Sequence, residues 1–331
     1  MEQVRGLQPL LELESPGGVS PSKLDTIETA VRKLHQLHRP VMIDVSGVAH
    51  PHGLGGGSAG VLGELADRLA DPVDLLDEHY PVPFIPVVHG EATDGEVTVL
   101  GRLCHELGLG GALRIRTATA NRQNIEQILE RLHLDTAELD LIVDLQYVPE
   151  ATERLIEHVA TAISTSAEFG PFRTTSVLSG SIPSALDRTS TWHQPRAEEQ
   201  LWQSLVRGGL ADLRLGDYGV VHPLSRNGYR SKHVAVKYTC FDHWLYSRER
   251  TQDTQAETPK RSKEGPRART FRAVCRNLVD SDGFTGPDFS WGDQEILNAA
   301  EGRGRALGAT SKPVALATSH HLAYLVSRVA A

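Results

Sequence analysis

Ala112-Leu113-Arg114-Ile115-Arg116-Thr117 is a short apolar run broken by arginines, and Leu139-Asp140-Leu141-Ile142-Val143-Asp144-Leu145 is a second. Between them, residues 124–132 carry apolar side chains at helical spacing. Strand, helix, strand in this order is a crossover unit, two parallel strands joined by a helix lying on the sheet. The alternation continues in both directions. Upstream, apolar runs at 9–14, 41–45 and 84–88 are separated by helical patterns at 22–37, 61–69 and 97–107. Downstream, runs at 175–178 and 213–218 enclose helical patterns at 152–163 and 198–206.

Seven strands so apolar, separated by helices, imply parallel pairing with both faces covered. An open doubly wound sheet would ordinarily show a nucleotide fingerprint after its first strand. The glycines at Gly55, Gly57 and Gly60 match that spacing but begin about ten residues too late. A TIM-type (β/α)8-like barrel is therefore the expected fold, with seven strands visible and the first βα unit apparently missing. The expected division is a barrel over 1–223 and an α+β extension over 224–331 packed on it. Two short strands at 234–238 and 244–246 open the extension, followed by a mobile loop over 248–270 that contains almost nothing apolar.

Composition narrows the class. The chain has 331 residues, 34 basic and 42 acidic, a formal charge of −8, which argues against a whole-surface nucleic-acid binder. Residues 260–276 nevertheless concentrate Lys260, Arg261, Lys263, Arg267, Arg269, Arg272 and Arg276, a patch suited to nucleic acid or simply to solvent. No run approaches the roughly 20 apolar residues of a membrane helix. Cys104, Cys240 and Cys275 form neither a zinc spacing nor a redox pair, so a soluble cytoplasmic protein without a membrane partner is expected.

In a parallel barrel the carboxyl ends of the strands build the active face. Polar residues there include Glu12, Asp44, His89, Arg114, Arg116, Asp144, Gln146, Asp217 and Tyr218. Asp44, Asp144 and Asp217 are the sharpest catalytic candidates, with Arg116 as their partner and as the holder of an anion. Glu12, Asp44 and Asp144 could hold a divalent cation such as Mg, or the carboxylates could serve as acid and base. An internal salt-bridge network is the competing reading. His50 and His52, in the glycine-rich loop, make only an incomplete metal site. His320-His321 reads as a buried, hydrogen-bonded pair rather than as metal ligands.

Several motifs of the second half are distinctive: Gly216-Asp217-Tyr218, Val236-Lys237-Tyr238-Thr239, Phe289-Ser290-Trp291-Gly292-Asp293 and Ser319-His320-His321-Leu322. In order and spacing they resemble the Beta protein family of prokaryotes and their mobile elements. The likeness extends more loosely to Pro9-Leu10-Leu11-Glu12, Ile43-Asp44 and Val143-Asp144-Leu145. Members of that family usually open with one more strand and helix, so a natural start upstream of Met1 is expected. The resemblance implies anti-phage defence, as in the Gop–Beta–cII type of module, with other module proteins or a phage component as partners. A metal-assisted hydrolase acting on a phosphate-containing or nucleotide substrate is the expected activity, and a non-catalytic sensor or scaffold the alternative. The Phe289 to Asp293 stretch reads as a tight corner with Trp291 and Phe289 buried and Asp293 bonded to backbone or a basic residue.

Overall fold

The computed structural model describes residues 7–15, 18–48, 58–72, 81–117, 120–224, 232–251, 265–304 and 311–329. Seven parallel strands form one sheet in chain order: β1 (Leu10–Glu12), β2 (Met42–Asp44), β3 (Ile85–His89), β4 (Gly111–Arg116), β5 (Leu139–Tyr147), β6 (Thr174–Gly180) and β8 (Arg214–Asp217). Six helices connect them: α1 (Pro21–Gln36), α2 (Ser58–Ala70), α3 (Asp94–Leu107), α4 (Arg122–Leu132), α5 (Glu153–Ala167) and α6 (Ala197–Arg207). All seven expected strands are present and pair in parallel. The expectation of a TIM-type barrel needs correction, because β1 and β8 are the two edges of an open, half-barrel sheet. Closure would require a strand bonded to both edges, and none is found among the described residues.

Alternation along the strands sorts the core. Leu11, Ile43, Val88, Leu113, Ile115, Leu141, Val143 and Val177 point outward into the large cluster beneath the helices. Leu10, Met42, Val87, Ala112, Ile142 and Leu178 point inward as a separate apolar layer. Local signals place the helices. α3 starts at a capping box, Thr93 accepting from the Glu96 amide and Glu96 from the Thr93 amide, and stops at Gly108, whose φ of 70° suits glycine.

A second, antiparallel sheet runs β7 (Thr191–Pro195), β10 (His243–Arg250), β9 (His233–Thr239) in space. β7 lies within the expected barrel segment 1–223, between β6 and α6, yet pairs with β10, so the second sheet crosses the expected boundary. Helices α7 (Pro266–Val279), α8 (Trp291–Ala300) and α9 (Lys312–Val329) pack with this sheet around Tyr238, Leu245, Phe271, Val274 and Ile296. The expected loop over 248–270 is corrected at both ends, since β10 continues to Arg250 and α7 begins at Pro266. Residues 252–264 lie outside the described set, as do His50, His52 and most of the glycine-rich loop. No helix among the described residues is long and apolar enough to cross a membrane.

Candidate functional site

One layer above the inner apolar layer, the side chains turn polar. Glu12, Asp44, His89, Arg114 and Asp144 follow the same alternation on β1 to β5, and Tyr218 joins them just past β8. Arg114 is their hub. Its Nη1 donates to Glu12 Oε1 at 3.2 Å and to Asp44 Oδ2; its Nη2 donates to Asp144 Oδ2 at 2.8 Å and to the Tyr218 hydroxyl at 2.5 Å. Tyr218 in turn donates to Asp144 Oδ1 at 2.8 Å. His89 Nε2 lies 2.8 Å from Asp44 Oδ2, and no partner of its Nδ1 occurs among the described residues. Backbone amides complete the carboxylates, Ser46 on Asp44 Oδ1 and Gln146 on Asp144 Oδ1, each at 2.9 Å. Gln146 reaches Asp144 because β5 bulges there, placing Gln146 at a φ of 56°.

Asp44 and Asp144 are buried, whereas the Glu12 side chain keeps 28% exposure at the rim. Burial opposes ionisation of Asp44, but His89, Arg114 and the Ser46 amide outweigh it and hold the carboxyl well below its ordinary range. For Glu12, burial wins over the attraction of Arg114, and its carboxyl is raised. Burial also lifts the Tyr218 hydroxyl far above the usual phenol, with Asp144 adding to the effect. Burial works against the Arg114 cation, but Asp144, Tyr218, Asp44 and Glu12 together fix it as charged.

The cluster opens on a cleft of about 410 Å³ lined by Glu12, His89, Glu91, Arg116, Gln146 and Leu224, among others. Arg116 is not the partner of the aspartates. It sits one layer beyond Arg114 on β4, half-exposed, with Nη1 3.7 Å from Glu91 Oε2. Depth along the strand, which sequence does not give, separates the two arginines. Asp217 is likewise not part of the cluster. It points to the other face of β8, where its carboxylate meets His321 Nε2 at 3.0 Å and the Gly219 amide at 2.8 Å. The buried Arg196 approaches it to 4.0 Å and donates to Glu198 at 3.1 Å. Burial opposes the Asp217 charge, and His321 with Arg196 lowers its carboxyl below the ordinary value.

Glu12, Asp44 and Asp144 do come together, but their donor atoms do not fit a divalent cation. Both oxygens of each aspartate are already bonded, and the Arg114 guanidinium occupies the centre. Among the described residues, no group of three or more His, Cys, Asp or Glu is arranged to hold a metal.

The distinctive motifs of the second half build one buried relay. His321 links Asp217 to Thr239 Oγ1 at 2.8 Å; His320 links the Thr239 carbonyl at 2.8 Å to Asp293 Oδ2 at 3.0 Å; Tyr238 donates to Asp293 Oδ1 at 2.5 Å. The histidine pair is thus buried and hydrogen-bonded, and Asp293 meets a histidine, both as expected. The expected corner is a helix start instead. Ser290 caps α8, Gly292 packs against α9 with its amide on Ser319 Oγ at 3.1 Å, and Trp291 is left 61% exposed. Phe289 is only partly buried.

A profile of the Beta protein family matches residues 3–327, nearly the whole chain. The chain belongs to the Beta protein family. Among solved structures it is similar to AQ1208 from Aquifex aeolicus, at 11% identity and a TM-score of 0.33 over 65% of this chain. The family member spans about half of that protein, 54% of its length. A search of the curated proteins finds no match. Within this family member, Gly216-Asp217-Tyr218 straddles two sites: Tyr218 completes the Arg114 hub, while Asp217 anchors the relay to the second sheet.

Proposed function

We propose that this Beta family protein acts in anti-phage defence as a hydrolase whose acid–base groups are His89 and Glu12. The observation that carries the reading is the Asp44–His89 pair, 2.8 Å apart, opening on the 410 Å³ cleft. A buried carboxylate on one ring nitrogen fixes the imidazole's orientation and leaves the other nitrogen to take a proton from an attacking water. Glu12, with its raised carboxyl on the same rim, returns a proton to the leaving group. Asp144, Tyr218 and Arg114 hold this pair in place and are positioning residues. The substrate is a compact phosphate ester held by Arg116. Glu14, Glu91 and Glu96 also line the cleft and would repel a long polyanion. No step uses a metal, because Arg114 already neutralises the carboxylates that would bind one.

A second reading, a non-catalytic sensor of a phage component or of another module protein, draws on a different observation. Phe241 and Trp291 are 74% and 61% exposed on the C-terminal unit, unusual for such large apolar side chains. Phage plating on cells carrying the complete defence module separates the two. His89→Gln and Glu12→Gln at wild-type soluble levels should abolish protection, while Trp291→Ala with Phe241→Ser should preserve it. Full protection by a well-folded His89→Gln, Glu12→Gln double variant would end the hydrolase reading.

A further inference from the structure

Lys237 lies in the middle of β9, away from the cleft. Its register partner on β10 is Tyr246, and the partner of Tyr246 on β7 is Trp192. The three side chains therefore form one row across one face of the second sheet, directly opposed residues having Cβ atoms about 4.5–5.5 Å apart. The Trp192 and Tyr246 rings stack with centroids 4.9 Å apart. Tyr246 is fully buried, and its hydroxyl has no hydrogen-bond partner among the described residues. Such an orphan hydroxyl costs about 1–3 kcal/mol unless something occupies it. Lys237 itself is partly buried, so a reagent can reach it.

Most lysines on a sheet face meet a carboxylate or extend into water. Lys237 does neither. No acid offsets its burial, and burial alone brings its ammonium down to about 8. At pH 7 roughly a tenth of such a group is free amine, far more than for a lysine of ordinary pKa near 10.4.

We propose that Lys237 is a nucleophilic amine that condenses with a small aldehyde or ketone carrying a flat apolar body, with Tyr246 hydrogen-bonding the carbonyl oxygen. The amine lone pair attacks the carbonyl carbon to give a carbinolamine. The oxygen then leaves as water, its two protons coming from the amine nitrogen and from solvent, and a protonated C=N bond remains. No oxidant or reductant is consumed. The Trp192–Tyr246 stack supplies the surface for the flat body.

The test uses the full-length protein with salicylaldehyde as probe and borohydride to fix the imine, read by peptide mass spectrometry. Lys237 should carry the adduct at least tenfold faster than the exposed Lys33 in the same molecules, with the rate half-maximal near pH 8. Tyr246→Phe should slow labelling several-fold without moving the urea midpoint, and Lys237→Arg should remove the adduct. Because Lys33 competes within the wild-type protein, the comparison holds even if Lys237→Arg folds poorly. Equal rates at Lys237 and Lys33, an unlabelled Lys237, or a Tyr246→Phe rate within twofold of wild type would overturn the proposal.

Discussion

Replacing Arg114 with methionine tests whether the polar layer is a neutralised network or a loose group of charges. Methionine fills similar space and removes the cation. Asp44, at 0% exposure, and Asp144, at 2%, would each lose their guanidinium bonds, and the Tyr218 hydroxyl would lose a donor. Removing one partner of a buried ion pair costs about 3–5 kcal/mol. Two buried carboxylates here share one partner, so the upper end applies at pH 7. Urea unfolding followed by circular dichroism measures it. The pH dependence gives a second reading. In the wild type, Asp44 is lower in the folded than in the unfolded chain, so its contribution is full above about pH 4, its unfolded value, and is lost as pH falls through the folded one. In Arg114→Met the buried aspartates shift upward and the sign reverses, so the variant gains stability on acidification. The gap between the two proteins should therefore narrow from pH 7 to pH 5. A loss under about 1 kcal/mol at pH 7, well below the cost of a broken buried pair, or a gap unchanged at pH 5, would refute the reasoning. Arg114→Lys, which keeps the charge but not the fork, should fall between.

Three other substitutions probe the relay and the C-terminal helices. Asp217→Asn removes the charge that His321 and Arg196 face, and should cost about 3–5 kcal/mol in urea unfolding at pH 7. Since the folded Asp217 is lowered, the wild type alone should lose stability as pH falls below about 4, and the variant's deficit should shrink there. Gly292→Ala would place a Cβ 2.2 Å from the Leu316 carbonyl oxygen, forcing α8 from α9 at about 1–3 kcal/mol, measurable as a lowered thermal midpoint. Trp291→Ala should change stability by no more than about 0.5 kcal/mol, and iodide should quench Trp291 fluorescence while leaving the buried Trp244 untouched.

The strands of the main sheet were legible because both their faces are covered, which writes continuous apolar runs into the sequence. β7 was not, since Thr191-Trp192-His193-Gln194-Pro195 sits half-exposed at an edge and ends in proline. The site was legible as a set of strand-end residues, but not its wiring. Arg114 and Arg116 share a face, and only the stagger between strands decides which one reaches the aspartates. Asp217 and Tyr218 differ by one position, which in a strand means opposite faces, and the short β8 carries too little apolar alternation to say which. The buried histidine pair was readable because neighbouring metal ligands were lacking. Trp291 was misplaced because a capping serine, not the aromatic, determines how that turn begins.

β7 also sets a timetable for assembly. Every strand of the main sheet bonds to its predecessor in that sheet, so the half-barrel can grow in the order of synthesis. β7 is the exception. It emerges after β6 but bonds only to β10, which begins roughly 50 residues later. At about 5–20 residues per second, that is a wait of roughly 3–10 s on the ribosome. Through that interval Trp192 and the β7 backbone have no mate, while β8 joins β6 behind them. The hairpin of β9 and β10 must then find β7 across a loop whose closure grows costlier only slowly with length. Mature enclosure of Trp244, Tyr246 and Arg196 is thus a late event, and shortening the β8–β9 connection should hasten it.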